Sequence, residues 1–68
     1  MKIIIEDLKT NTTIDVSKMP IEGINIGHKI TVNYLDKNSN LQTIEGVVCS
    51  IHHVISSDYH KTIFIKIY

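Results

Sequence analysis

Apolar side chains in this chain fall into four runs that polar turns separate. The runs span residues 2–8, 29–35, 41–55 and 60–68. In the second run Ile30, Val32 and Tyr34 alternate with polar neighbours, which is the period of a half-buried β-strand. A short extended piece at residues 14–16 has the length to pair back onto the first run. The stretch at residues 17–27 is irregular and supports one helical turn at most, so the pattern predicts about five strands.

The second and third runs predict a β-hairpin with a defined register. The polar loop at residues 36–40 has a common hairpin length, and it brings Leu35 opposite Leu41. In that register apolar side chains oppose apolar ones and polar side chains oppose polar ones, which is the favourable arrangement between strands. The resulting pairs include Val32 with Ile44 and Thr31 with Glu45.

The third and fourth runs predict a second hairpin across the turn at residues 56–59. Facing Ile55 with His60 places Lys66 beside Cys49 and gives the pairs Val48–Ile67, Val47–Tyr68, Ser50–Ile65, His52–Ile63 and Ile51–Phe64. Gly46 lies inside the long third run, where a missing side chain predicts a bulge or a sharp bend.

These elements together predict an all-β fold in a single small domain over residues 1–68. By analogy of architecture we expect an SH3-like or Sm-like, partly open barrel of about five antiparallel strands. A chain of 68 residues buries only about 60% of the surface that its unfolded form exposes, so its core is marginal. The single cysteine, Cys49, excludes an internal disulfide, which leaves a partner, a metal or an efficient β core as the source of stability.

The charge of the chain narrows the classes of partner. Seven lysines balance seven acidic residues, which argues against a general nucleic-acid binder and against a polybasic membrane anchor. The apolar runs are much shorter than the roughly 20 residues of a membrane-spanning helix. The first residues turn acidic after Ile3, Ile4 and Ile5, too soon for the apolar stretch of a signal peptide. We therefore expect a cytoplasmic protein without membrane contact.

Amino-acid usage indicates the origin of the chain. It contains fourteen isoleucines but no alanine, arginine or tryptophan. Isoleucine, lysine, asparagine and tyrosine have AT-rich codons, so this bias is typical of a low-GC genome. Together with the short length, it suggests a bacteriophage or another mobile element that acts inside a bacterial host cell.

The final hairpin carries apolar side chains on both faces. One face holds the isoleucines of the last strand. The other holds a candidate partner-binding or oligomer interface, to which we add the tyrosine of the adjacent turn: Val47, Ile51, Tyr59, Phe64 and Tyr68. An exposed apolar and aromatic patch usually marks a binding surface. The alternative is that the curl of the barrel and the segment 19–26 cover this face.

Polar side chains near this hairpin form a second candidate set, for a small ligand: His52, His53, His60 and Lys66. Adjacent histidines on a strand point to opposite faces, and Cys49 lies about 13 Å from His53 at the rise of a strand, so we expect no metal site. The acidic residues are scattered, and a glycine-rich phosphate loop is absent from the sequence. We therefore expect neither an enzyme nor a cofactor.

The sequence favours a small non-enzymatic binding protein whose ligand is a protein partner, either a second copy or a host protein. A phage inhibitor that binds or sequesters a bacterial host or defence protein fits this description. One alternative is an oligomeric sponge that holds a small signalling nucleotide between subunits. Another is a nucleic-acid-binding small barrel, which the neutral net charge makes less favoured.

Overall fold

The computed structural model describes residues 1–18, 23–58 and 60–68, and these form five β-strands and no helix. The strands are β1 (Lys2–Asp7), β2 (Thr12–Asp15), β3 (Lys29–Leu35), β4 (Leu41–Ile55) and β5 (Lys61–Ile67). They form one strongly curled sheet, a half-barrel, which confirms the predicted all-β, partly open barrel. None of these segments is a helix of the length and apolarity that membrane crossing requires.

The strand order in the sheet is β2-β1-β5-β4-β3. Neighbouring strands are antiparallel except β1 and β5, which run parallel, so the prediction of a wholly antiparallel sheet is wrong at this pair. The reason lies in the connections. Strand β2 follows β1 through a tight turn and takes one edge of it, while the direction of β5 is already determined by its hairpin with β4. The remaining edge of β1 therefore meets β5 in the parallel sense.

The core lies on the concave face of the curled sheet, and every member of its buried cluster is isoleucine or valine. The members are Ile3, Ile5, Ile14, Val16, Val32, Ile44, Val48, Ile65 and Ile67. Such β-branched side chains have restricted rotamers and pack well on a pleated surface, so a high isoleucine content suits this architecture. The opposite face of the sheet is called the convex face below.

The hairpin of β3 and β4 has the predicted register. Leu35 pairs with Leu41, and the pairs Val32–Ile44 and Thr31–Glu45 follow. On the convex face of this hairpin, the Lys29 ammonium group forms an ion pair with the Glu45 carboxylate at 2.9 Å. Polar pairing on one face and apolar pairing on the other make this register strongly preferred, because a shift by one residue would exchange the two faces.

The hairpin of β4 and β5 has the predicted register at one end only. Val48 pairs with Ile67 as expected, but a β-bulge between Val48 and Ser50 shifts every later pair by one residue. Ile51 therefore pairs with Ile65, and the predicted Ile51–Phe64 pair is wrong. A bulge increases the local twist, and this one lies where β4 changes its partner from β3 to β5.

Gly46 lies in a regular part of β4, where it pairs with Ile30. The bulge that was predicted at Gly46 lies at Cys49 instead. A side chain at residue 46 would meet close neighbours, because other groups approach its α-carbon. A Cβ atom would lie 2.9 Å from Lys9 Nζ and 3.1 Å from the main-chain oxygen of Tyr68. That oxygen is held in place because it accepts a hydrogen bond from Val47 N at 3.1 Å.

A buried carboxylate connects the β1–β2 turn to this region. Asp7 is 2% exposed and accepts hydrogen bonds from Lys9 N at 3.1 Å and from the Thr10 hydroxyl at 2.9 Å. Lys9 Nζ lies 3.5 Å from the Asp7 carboxylate and donates to the Glu45 main-chain oxygen at 2.8 Å. Burial by itself raises the pKa of Asp7, but the hydrogen bonds from Thr10 and Lys9 and the charge of Lys9 outweigh it and lower the pKa.

Replacing Gly46 with alanine tests the close approach of Tyr68. Alanine in a strand is ordinarily at least as favourable as glycine, yet here the new methyl group must displace main-chain atoms. We expect Gly46→Ala to lower the free energy of unfolding by about 1–3 kcal/mol, measured by urea denaturation. A variant as stable as the wild type would contradict the packing described for this position.

Acid unfolding tests the role of Asp7. Its folded-state pKa is lower than its ordinary value of 3.8, so the stabilisation is complete at pH 7 and is lost as the pH falls through the folded-state pKa. We expect Asp7→Asn to lower the free energy of unfolding at pH 7 by about 1–2 kcal/mol. At pH 3 and below, the difference from the wild type should shrink.

The exposed Asp58 provides a matched control for this experiment. Asp58→Asn is the same chemical change, and it should leave the urea midpoint close to that of the wild type at both pH values. Equal effects of the two variants would contradict a specific contribution from Asp7.

Candidate functional site

An apolar cleft of about 280 Å³ opens on the concave face, beside the core. Its walls come from the first residues of the chain, from β4 and β5 and from the loop before β3: Met1, Ile3, Gly23, Ile24, Asn25, Ile51, His53, Ile63 and Ile65. The floor is a row across three strands, because Ile63 pairs with Ile3 on one side and with His53 on the other. Within the described residues the half-barrel leaves this row open, and Ile51 and Ile63 are half-buried there.

The loop before β3 forms the second wall of the cleft, and main-chain hydrogen bonds to β4 hold it there. Gly27 N donates to the Val48 oxygen at 2.8 Å, and Val48 N donates to the His28 oxygen at 2.8 Å. Gly27 has a φ of 93°, a conformation that glycine adopts at little cost. This anchored turn places Asn25 at the rim, while Ile24 packs against the core.

The chemistry of the cleft wall is mainly aliphatic. Its polar side chains are Asn25 and His53, and no lysine of the described ranges lines it. The volume lies just below the roughly 300–1,000 Å³ of typical small-molecule pockets. Such a site accommodates one or two aliphatic side chains better than a charged ligand, because its wall is mainly aliphatic and no lysine among the described residues lies there to pair with an anionic group.

The structure divides the predicted partner-binding patch between the two faces. Ile51 lies on the concave face at the cleft, because the bulge at Cys49 reverses its orientation. Val47 and Tyr68 lie together on the convex face, joined by two main-chain hydrogen bonds of 3.0 and 3.1 Å. Phe64 also lies on the convex face, further along β5, and Tyr59 lies outside the described residues.

Phe64 belongs to a small apolar row on the convex face. It pairs with Ile4 on β1 and with His52 on β4. Ile4 is 9% exposed although it lies outside the core cluster, so its neighbours on the convex face cover it. Three consecutive isoleucines in β1 provide the sequence signal for this row, since the middle one must face away from the core.

The predicted ligand-binding residues lie on different surfaces. His52 is on the convex face against Phe64, whereas His53 is on the concave face at the cleft. His60 is at the turn before β5, where its Nε2 atom lies 3.9 Å from Asp58 Oδ2. Lys66 pairs with Ser50. Within the described ranges, no three His, Cys, Asp or Glu side chains are grouped as a metal site would need.

The sequence did not indicate the cleft itself. Ile3 and Ile63 meet in its wall only because β1 and β5 are parallel neighbours. The same wall contains Ile24 and Asn25, which come from a segment expected to be irregular. Local patterns carry no signal for such a contact between residues far apart along the chain.

Comparison with known proteins does not assign the chain to a family. Neither a protein-family model, nor a curated protein, nor a solved structure shows a significant match to the chain. The functional argument therefore depends on the residues of the site.

Alanine substitutions in β4 test the orientation that the bulge gives to the site. Ile51 is half-buried against the core, so Ile51→Ala should lower the free energy of unfolding by about 1–2 kcal/mol, below the cost of a fully buried isoleucine. Val54 is exposed on the convex face, and Val54→Ala should stay within about 0.5 kcal/mol of the wild type. Equal effects in urea denaturation would indicate a strand without the bulge.

Proposed function

We propose that this chain is a non-enzymatic binding module that holds an aliphatic side chain, or a short apolar segment, of a protein partner in its concave cleft. The observation that carries the proposal is the set of half-buried isoleucines, Ile24, Ile51 and Ile63, that line a cleft of the half-barrel beside the exposed Met1. Apolar surface of this kind usually marks an interaction site, because its burial is the main favourable term in association.

The apolar surface continues beyond the cleft along β4. Ile51, His53 and Ile55 are alternate residues after the bulge and therefore share the concave face. Ile55 is 75% exposed, close to the turn that connects β4 to β5. A partner segment that enters the cleft at Ile51 would also cover Ile55, which extends the contact beyond a single side chain.

The class of partner follows from the composition of the chain. Its AT-rich amino-acid usage and short length support an origin in a bacteriophage or mobile element. In that setting, a module with a binding cleft acts by occupying a surface of a host protein. We therefore propose an inhibitor that binds or sequesters a bacterial host or defence protein in the host cytoplasm.

The two other functions have less support. A nucleotide sponge needs several cations at its pocket, whereas the described cleft wall contains no lysine. A nucleic-acid binder needs a cationic surface, but Lys29 forms an ion pair with Glu45, and Glu6 lies opposite Lys66 in the register of β1 and β5. Lys9 in turn contacts Asp7. These local contacts between lysines and acidic residues, as well as the neutral net charge, therefore argue against a nucleic-acid binder.

Adjacent histidines on opposite faces provide a matched test of this proposal. In one variant a photo-crosslinking amino acid replaces His53 at the cleft, and in a second variant it replaces His52 on the convex face. Each of the two variants is irradiated in a bacterial lysate. We expect the position 53 probe to form a crosslink to one bacterial protein, identified by mass spectrometry, and the position 52 probe to form none to that protein. Excess unlabelled wild-type chain should compete, whereas His53→Asp should compete about tenfold less well.

The outcome separates the three functions. A crosslink to the same protein from both positions, or full competition by His53→Asp, would show that the cleft is not the binding surface. Crosslinks to nucleic acid that disappear as salt rises would favour the nucleic-acid binder. A small molecule retained in native mass spectrometry would favour the sponge.

A further inference from the structure

Strand β3 ends the sheet and has a free edge. It pairs with β4 on one side, and it makes no contact with β2, the strand at the other end of the sheet. Within residues 1–18, 23–58 and 60–68, no hydrogen bond reaches the outer edge of β3. The main-chain groups on that edge are therefore available to another strand.

The hydrogen bonds at the two ends of β3 identify which groups face outward. Asp36 N donates to the Asn40 oxygen at 3.0 Å, and Val48 N donates to the His28 oxygen at 2.8 Å. Residues 28 and 36 thus direct their main-chain groups toward β4. Because this direction alternates along an antiparallel ladder, the odd-numbered residues direct theirs outward: Lys29, Thr31, Asn33 and Leu35.

This edge lacks the usual devices that prevent pairing between molecules. It is seven residues long, contains no proline and no bulge, and carries one charged residue, Lys29, at its first position. Protected edges are typically short, charged along their length, bulged or interrupted by proline. The opposite edge, β2, is four residues long and ends in Asp15.

We propose that two copies of this chain pair through β3, antiparallel, about a two-fold axis at Val32. In this register Thr31 opposes Asn33 of the second copy, and Lys29 opposes Leu35. All the opposed outward-facing residues are odd-numbered, so both main-chain groups of each pair form hydrogen bonds. The proposal goes beyond the binding cleft, which is built by β1, β4, β5 and the loop before β3 and stays accessible in the dimer.

Side-chain pattern supports this register. On the concave face Val32 meets Val32 of the second copy, and Ile30 meets Tyr34. Ile30 and Tyr34 are half-buried around the core of each chain, and the second copy would cover the rest of their surface. On the convex face the polar Thr31 meets the polar Asn33. Apolar pairs thus form on the concave face and Thr31–Asn33 pairs on the convex face, which is the favourable cross-strand arrangement, while Lys29 opposes Leu35 at the ends of the interface.

Repulsion between like charges selects the antiparallel direction. Lys29 is the one charged residue of β3 and lies at its first position. Antiparallel pairing places the two copies of Lys29 at opposite ends of the interface. Parallel pairing in register would place the two copies of Lys29 side by side, which is unfavourable for like charges.

Two double variants at the same positions test the proposed register. Thr31→Lys with Asn33→Glu places opposite charges across the axis, whereas Thr31→Lys with Asn33→Lys places like charges there. We expect wild-type chain at micromolar concentration to sediment at twice its 7.7 kDa mass. The first variant should lower the dimer Kd about threefold to tenfold, and the second should raise it by about tenfold or more. Circular dichroism checks that both variants keep the β fold.

Sedimentation has outcomes that would overturn the proposal. Wild-type chain that stays monomeric at about 1 mM would contradict self-association through this edge. A dimer whose Kd rises in both variants would contradict the antiparallel register, because parallel pairing opposes like charges in each of them. A dimer insensitive to both variants would place the interface elsewhere.

Amide hydrogen exchange gives a second readout that needs no substitution. The amides of residues 30, 32 and 34 face β4 and should be protected at every concentration. The amides of Thr31 and Asn33 should exchange fast in dilute protein and become protected as the concentration rises, at least tenfold, because only the dimer uses them. Fast exchange of these two amides in concentrated protein would overturn the pairing.

Discussion

Strand β4 changes its partner halfway along its length, and the rest of the structure depends on this change. Its first half pairs with β3 up to Val47, and its second half pairs with β5. The bulge at Cys49 supplies the twist, and Lys9 ties the β1–β2 turn to the Glu45 oxygen at the same place. Because Gly46 has no side chain, Lys9 and the end of β5 reach the strand there. One sheet therefore curls around its own core.

The same curl explains why the molecule offers two different surfaces. Within the described residues the sheet does not close into a barrel, so β2 and β3 are its edges, and the half-buried Ile24, Ile51 and Ile63 line an open cleft beside the core. A chain of 68 residues buries only about 60% of the surface that its unfolded form exposes. The edge of β3 and the cleft belong to the surface that this small domain leaves exposed.

Patterns within one hairpin were predictable, and contacts that depend on the whole sheet were not. The register of β3 and β4 was correct because Leu35 and Leu41 flank a short loop and a one-residue shift would bury polar side chains. Beyond Val48 the register of β4 and β5 was wrong, because the prediction continued the pairing without a bulge and placed Ser50 opposite Ile65, where the structure has Ile51. The candidate patch of Ile51 and Phe64 was divided for this reason.

The sequence by itself determined the strands, the turns, the β-branched character of the core and the face of each residue in β3. These features depend on side-chain period and turn chemistry, which act over a few residues. Only the tertiary structure decided that β1 and β5 run parallel, that glycine at residue 46 serves a close approach, and that Ile3, Ile24 and Ile63 meet in one cleft. Such contacts join residues tens of positions apart, and their free energy depends on how the whole sheet curls rather than on any local pattern.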